Sequence, residues 1–111
     1  MSGAGTGAVL LIAGAPDRAE AERIGEALVG RRLAASGSVL PAVHSFRLSE
    51  GRLQREHGAL LLVETSRERS EKAQAELRAL HSARNPEILE VPITGGSRAY
   101  LAWVLDEVGD R

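Results

Sequence analysis

The sequence predicts an α+β fold in which helices cover an antiparallel sheet, and three observations carry that prediction. Segments of strand-like and helix-like hydrophobic spacing alternate in the order β-α-β-β-α-β-α. Two long extended segments are separated only by Ser49-Glu50-Gly51-Arg52, where Gly at a two-residue turn signals a hairpin. Each helical segment opens at a residue able to cap its first turn.

Val9-Leu10-Leu11-Ile12 is a short apolar run closed by Gly14 and Pro16, which suits a strand central in a sheet or covered on both faces. Asp17 opens the first helix and makes a capping box with Glu20. Ala21, Ile24, Ala27 and Leu28 then follow at helical spacing, leaving Arg18, Glu22, Arg23 and Glu26 for water, and Gly30 marks the end. The extended segments 33–48 and 53–65 form the hairpin. With Glu50 and Gly51 as its turn, Leu48 faces Leu53, Ala42 faces Ala59, Leu40 faces Leu61 and Val39 faces Leu62, apolar against apolar; a bulge would shift every later pair. Thr65 and Glu68 offer a second capping box, after which Ala73, Leu77 and Leu80 recur along one helix face while Arg67/Glu71 and Glu68/Lys72 can pair on the surface. Residues 81–85 make a loop, Pro86 prevents helical continuation, and residues 88–93 read as a strand whose Pro92 suggests an edge or a bulge. Thr94-Gly95-Gly96 turns the chain, and Ser97 caps a last helix with Leu101, Val104, Leu105 and Val108 on its apolar face. The first six elements are the split β-α-β pattern of a ferredoxin-like sandwich, extended by a C-terminal helix. The expected organisation is a flexible tail over residues 1–7 and a single domain over 8–111.

Composition narrows the function. Fourteen Lys and Arg against fifteen Asp and Glu give a formal charge of −1 with the signs interspersed, so the basic footprint of nucleic-acid binding is missing. The longest apolar runs, at 8–13 and 59–63, fall far short of the ~20 residues that span a bilayer. The opening residues have neither the positive region nor the apolar core of a signal peptide, which points to a cytoplasmic protein with no membrane partner. With no cysteine, any metal must rest on His and carboxylate. A chain of 111 residues buries a limited core, so oligomerisation would add to its stability.

Motifs spread along the chain resemble the CutA family of divalent-ion tolerance proteins. They are Ala15-Pro16-Asp17, Ala19-Glu20-Ala21-Glu22-Arg23-Ile24, Arg32-Leu33-Ala34-Ala35, Leu40-Pro41, Glu50-Gly51, Leu60-Leu61-Leu62-Val63 before Thr65, Pro86-Glu87-Ile88, Pro92-Ile93-Thr94-Gly95-Gly96 and Tyr100-Leu101-Ala102-Trp103. The resemblance implies a ferredoxin-like subunit in a compact homotrimer, built by pairing the long hairpin strands between subunits, with a link to tolerance of copper and other divalent ions. It also implies a ligand cleft between subunits, onto which Ser36, Glu64, His81 and Arg84 map. Several family features are missing there: Ser36 stands in place of the usual Cys, Ser38 in place of Asn, Glu64 in place of Lys, and Arg47-Leu48-Ser49 in place of the usual aromatic residues. The loop that usually reads His-Pro-Tyr-Glu-Val keeps only His81, continuing Ser82-Ala83-Arg84-Asn85.

Each candidate has a functional and a structural reading. His81, as neutral imidazole, can ligate a divalent metal ion such as copper or zinc or move a proton; as a residue at a helix C-terminus it can instead bond the last carbonyls. His44 and His57 face one another in the proposed hairpin register and form a weak second metal candidate, or simply two solvent-facing side chains. Glu64 can serve as an acid or base with His81, or pair with Arg67 or Arg84. Ser36 needs a base within reach to act as a nucleophile and otherwise is a small polar strand residue. Tyr100 and Trp103 lie three apart on the last helix and suit a buried or interfacial packing role. Thr94-Gly95-Gly96-Ser97 reads as a turn and cap, since the Lys of a P-loop is absent. The leading expectation is a scaffold that binds a divalent metal ion or small ligand. The alternative is a CutA scaffold repurposed as an enzyme on a small molecule, with Glu64 and His81 as acid and base.

Overall fold

The computed structural model describes residues 5–109. Strands β1 (Ala8–Ala15), β2 (Ser36–Ser49), β3 (Arg52–Ser66) and β4 (Ile88–Pro92) form one sheet. Helices α1 (Arg18–Gly30), α2 (Arg67–Leu80) and α3 (Arg98–Glu107) fall between and after them in the expected order. The strands lie in the order β2-β3-β1-β4, every neighbouring pair antiparallel, with β1 central and the proline-bearing β4 at an edge. Of the tail expected over residues 1–7, the first four lie outside the described residues. Thr6 bonds the carbonyl of Ile93 through both its amide and its hydroxyl, and the Gly7 carbonyl accepts from Arg67.

Alternation along the strands sorts side chains onto two faces. Val9, Leu11 and Ala13 of β1 and Ala59, Leu61 and Val63 of β3 are at most 3% exposed. Most of them pack with Ala21, Ile24 and Leu28 of α1 and with Ala73 and Leu77 of α2. The spacing that predicts these helix faces therefore picks out the residues that are buried. On the opposite face Leu10, Ile12, Leu60 and Leu62 are only half-buried, and Leu40, Leu89 and Val91 are exposed. Helix α3 covers one end of that face, where Leu101, Val104 and Val108 bury Ala8 and Ala35.

The hairpin turns at Glu50 and Gly51, both with positive φ (54° and 78°), the signature of a type I′ turn. Leu48 pairs with Leu53 and His44 with His57 as expected, out to Val43 opposite Gly58. A register shift between Leu40 and Val43 then moves every later pair by one, so that Leu40 faces Leu60 and Val39 faces Leu61, while Ala42 has no ladder partner. Pro41 lies inside this irregularity on an edge strand, where its missing N–H costs no ladder bond.

Strand β1 pairs with β3 only as far as Ala15 opposite Ala59, so residues 52–58 of β3 and their β2 partners leave the sheet as a two-stranded ribbon. Seven residues at about 3.3 Å each extend this arm roughly 23 Å. At its root, a Cβ on Gly58 would stand 2.5 Å from the Ala15 carbonyl oxygen, so only glycine fits where the ribbon departs.

The caps show which sequence signals act. Asp17 accepts from the Glu20 amide at 2.8 Å, but the Glu20 side chain turns elsewhere, so only half of the expected capping box forms. For α2 the cap is Ser66, not Thr65. Thr65 lies opposite Val9 in a row that faces α1 and α2; it is fully buried and donates to the Leu33 carbonyl at 2.7 Å. Ser97 caps α3 as predicted. The α2 pairs Arg67/Glu71 and Glu68/Lys72 do not form among the described residues; the ion pairs there include Arg18–Glu22, Arg23–Glu20, Arg31–Glu76 and Arg47–Glu56.

Candidate functional site

The sequence-predicted residues fall into three groups. The first is on the open face of the sheet. Removing one residue from the register at the bulge brings Ser36 directly opposite Glu64, which in turn faces Leu10. Ser36 donates its hydroxyl to Glu64 Oε1 at 2.7 Å, and Tyr100, reaching down from α3, donates to the same oxygen at 2.5 Å. The two hydroxyls are 3.4 Å apart. The bond to Glu64 pushes the Tyr100 phenol above its ordinary value, because ionising it would put a second negative charge beside the carboxylate. Neither Arg67 nor Arg84 pairs with Glu64. Tyr100 also lies against Trp103, ring centroids 5.5 Å apart, and both residues are over two-fifths exposed. Sequence reasoning placed Tyr100 in packing alone; its position one turn after the Ser97 cap was the signal that it could reach back to the strands.

The second group is at the far end of β1. His81 follows α2, its side chain only 4% exposed. The Ala83 amide donates to its Nδ1 at 2.9 Å, which leaves the proton on Nε2, 2.7 Å from the Gly14 carbonyl that accepts it. Both ring nitrogens are engaged, so ligating a metal requires His81 to give up one of these bonds. Glu20 completes the arrangement: Oε2 accepts from the Ser82 amide at 2.7 Å and lies 3.5 Å from His81 Nδ1. Burial alone would raise the Glu20 carboxyl, but the bond from the Ser82 amide and the nearby Arg23 charge outweigh it and hold the group below its ordinary value. Arg84 is exposed, with no hydrogen bond or ion pair among the described residues.

Glu64 and His81 do not meet within one chain. Glu64 stands at Leu10 and His81 at Gly14, anchor points four residues apart on β1, or about 13 Å.

The third group is the histidine pair. His44 and His57 face each other across the arm with ring centroids 4.3 Å apart and planes inclined at 36°, a tilted ring contact between two exposed residues. No group of three His, Cys, Asp or Glu suited to holding a metal ion occurs among the described residues. His57 and His81 both line a groove of about 450 Å³, where the end of β1, the arm's root and the α2–β4 loop converge; Arg47, Glu56 and Glu87 supply its charges.

Among the described residues, no helix is long and apolar enough to cross a membrane. Known proteins resemble this chain along nearly its whole length. A divalent-cation tolerance protein CutA of Pectobacterium atrosepticum is 32% identical over 97 residues, covering 87% of this chain and 88% of the relative. The solved structure of a divalent cation tolerance protein from Thermus thermophilus superposes with a TM-score of 0.88 at 32% identity, covering 92% of this chain and 99% of the other. A structure from Archaeoglobus fulgidus, described as a periplasmic divalent cation tolerance protein CutA, gives 0.86 at 29% identity, covering 92% and 99%. The family model described as CutA1 divalent ion tolerance protein matches residues 9–107, and with the sheet order and helix placement above, the chain belongs to the CutA1 divalent-ion tolerance family.

Proposed function

We propose that this chain is a single ferredoxin-like domain that works as a cytoplasmic homotrimer, binding a divalent metal ion or small ligand in clefts between subunits. The observation that carries the reading is the arm. A two-stranded ribbon is marginal in water, and here it exposes Phe46, Leu48 and Leu53 while residues 52–58 have no strand neighbour besides β2 among the described residues. The half-covered apolar face of the sheet continues the same surface. A second and third copy, each lending an arm to the next, would satisfy both. In such an assembly Ser36 and Glu64 of one subunit can approach His81 and Arg84 of another, which a single chain keeps apart. The enzymatic alternative depends on that juxtaposition, since Glu64 and His81 can act as acid and base only across an interface.

Light scattering at micromolar concentration tests the assembly: the expected particle has three times the 11.8 kDa chain mass, and a monomer at all concentrations refutes it. Calorimetric titration with Cu²⁺ or Zn²⁺ tests the ligand. Heat that His81→Ala abolishes places the metal at His81, and heat lost only in a His44→Ala/His57→Ala double variant places it on the arm. An absence of heat removes metal binding.

A further inference from the structure

We propose that Glu64, Tyr100 and Trp103 form a recognition site for a small organic cation, a primary ammonium group carried on an apolar or aromatic body. This deepens the reading of Ser36 and Glu64 as ligand-facing residues, yet every group it needs comes from one chain.

Glu64 Oε1 accepts two hydroxyl donors, from Ser36 and Tyr100, which fix the carboxylate without neutralising it. Among the described residues, Oε2 has no hydrogen-bond partner and no Lys, Arg or His pairs with Glu64. The result is a positioned, half-buried anion with one open acceptor. The raised ionisation of Tyr100 keeps its phenol a donor, so the negative charge stays on the carboxylate. Beside it the exposed Tyr100 and Trp103 rings offer apolar area, and their faces attract cations.

The ligand class follows from these groups. A metal ion is poorly served, because Glu64 is a lone carboxylate whose hydroxyl neighbours already point their protons at it, and no three-donor group stands nearby. A guanidinium prefers two free carboxylate oxygens for its parallel bonds and finds one here. A primary ammonium needs only a single strong acceptor and packs its body on the rings.

Trp103 is the one tryptophan in the chain, so its fluorescence reports on this site alone. Titrating the full chain at neutral pH with phenethylamine should give a saturable change. The uncharged 2-phenylethanol, of the same shape, should bind at least tenfold more weakly, as should phenethylamine to Glu64→Gln. An equal response to the alcohol, an unchanged affinity in Glu64→Gln, or no saturable response overturns the proposal. Light scattering on the same samples keeps the two readings apart. A trimer that ignores the amine refutes this site alone, whereas a monomer that binds it refutes the assembly alone.

Discussion

The two faces of β1 carry similar residues and have different fates. Leu11 points toward α1 and α2 and is fully buried; Leu10 and Ile12, its chain neighbours, point the other way and remain half-exposed. The difference lies in what covers them. Two amphipathic helices close the first face, while α3 closes only one end of the second. One face is therefore finished by the chain itself and the other is covered only at one end, and the polar cluster of Ser36, Glu64 and Tyr100 sits at the margin where α3's cover stops.

Core truncation sharpens that contrast most. Leu11→Ala should cost about 2–5 kcal/mol in urea denaturation at any protein concentration, since it opens a cavity under both helices. Leu62→Ala on the open face should cost far less in a dissociated chain, with a loss that grows as concentration rises. Equal, concentration-independent losses would erase the distinction between the faces.

Next in size is His81→Ala. It removes the bond to the Gly14 carbonyl and the acceptor of the Ala83 amide, so a loss of about 1–3 kcal/mol is expected in the same assay. The groove-lining loop should exchange its amide protons faster in this variant. No change in either readout would mean that His81 does not hold the loop to β1.

At the margin of the open face, the single tyrosine can be titrated by its phenolate absorbance. Its folded value lies above 10.0, so the Glu64–Tyr100 bond contributes below the unfolded value and is lost as pH rises through the folded one. Glu64→Gln should bring the midpoint down toward the ordinary value; a midpoint unmoved by this change would show that the carboxylate is not its partner.

The smallest effect belongs to the arm's tip. Glu50 adopts φ 54°, a conformation that Asn tolerates better, so Glu50→Asn should stabilise the hairpin by a few tenths to about 1 kcal/mol. A destabilised variant would argue that Glu50 makes a contact outside the chain.

Much of this was legible in the sequence because local rules govern it. Helical spacing located the buried faces of α1, α2 and α3, and the Glu50-Gly51 turn set the register of the outer arm, including His44 opposite His57. One irregularity hid the rest. Nothing in Pro41-Ala42 specifies how the ladder absorbs a residue, and without that shift Ser36 is not read as the partner of Glu64. The capping-box pattern makes Thr65 the cap of α2, but strand alternation turns it into the core and leaves the capping to Ser66. Glu20 looked like the second half of a capping box until the fold brought Ser82 and His81, more than sixty residues away, to its carboxylate. Such pairings depend on tertiary placement, which no short window of sequence contains.

The central claim, that the arm and the open face are covered by further copies of the chain, is tested most directly by hydrogen exchange along residues 52–58. Their amides that point away from β2 have no paired strand among the described residues. In the assembled protein these amides should exchange as slowly as those of β1, with protection that falls on dilution. Exchange near the unstructured rate at every concentration would contradict the account.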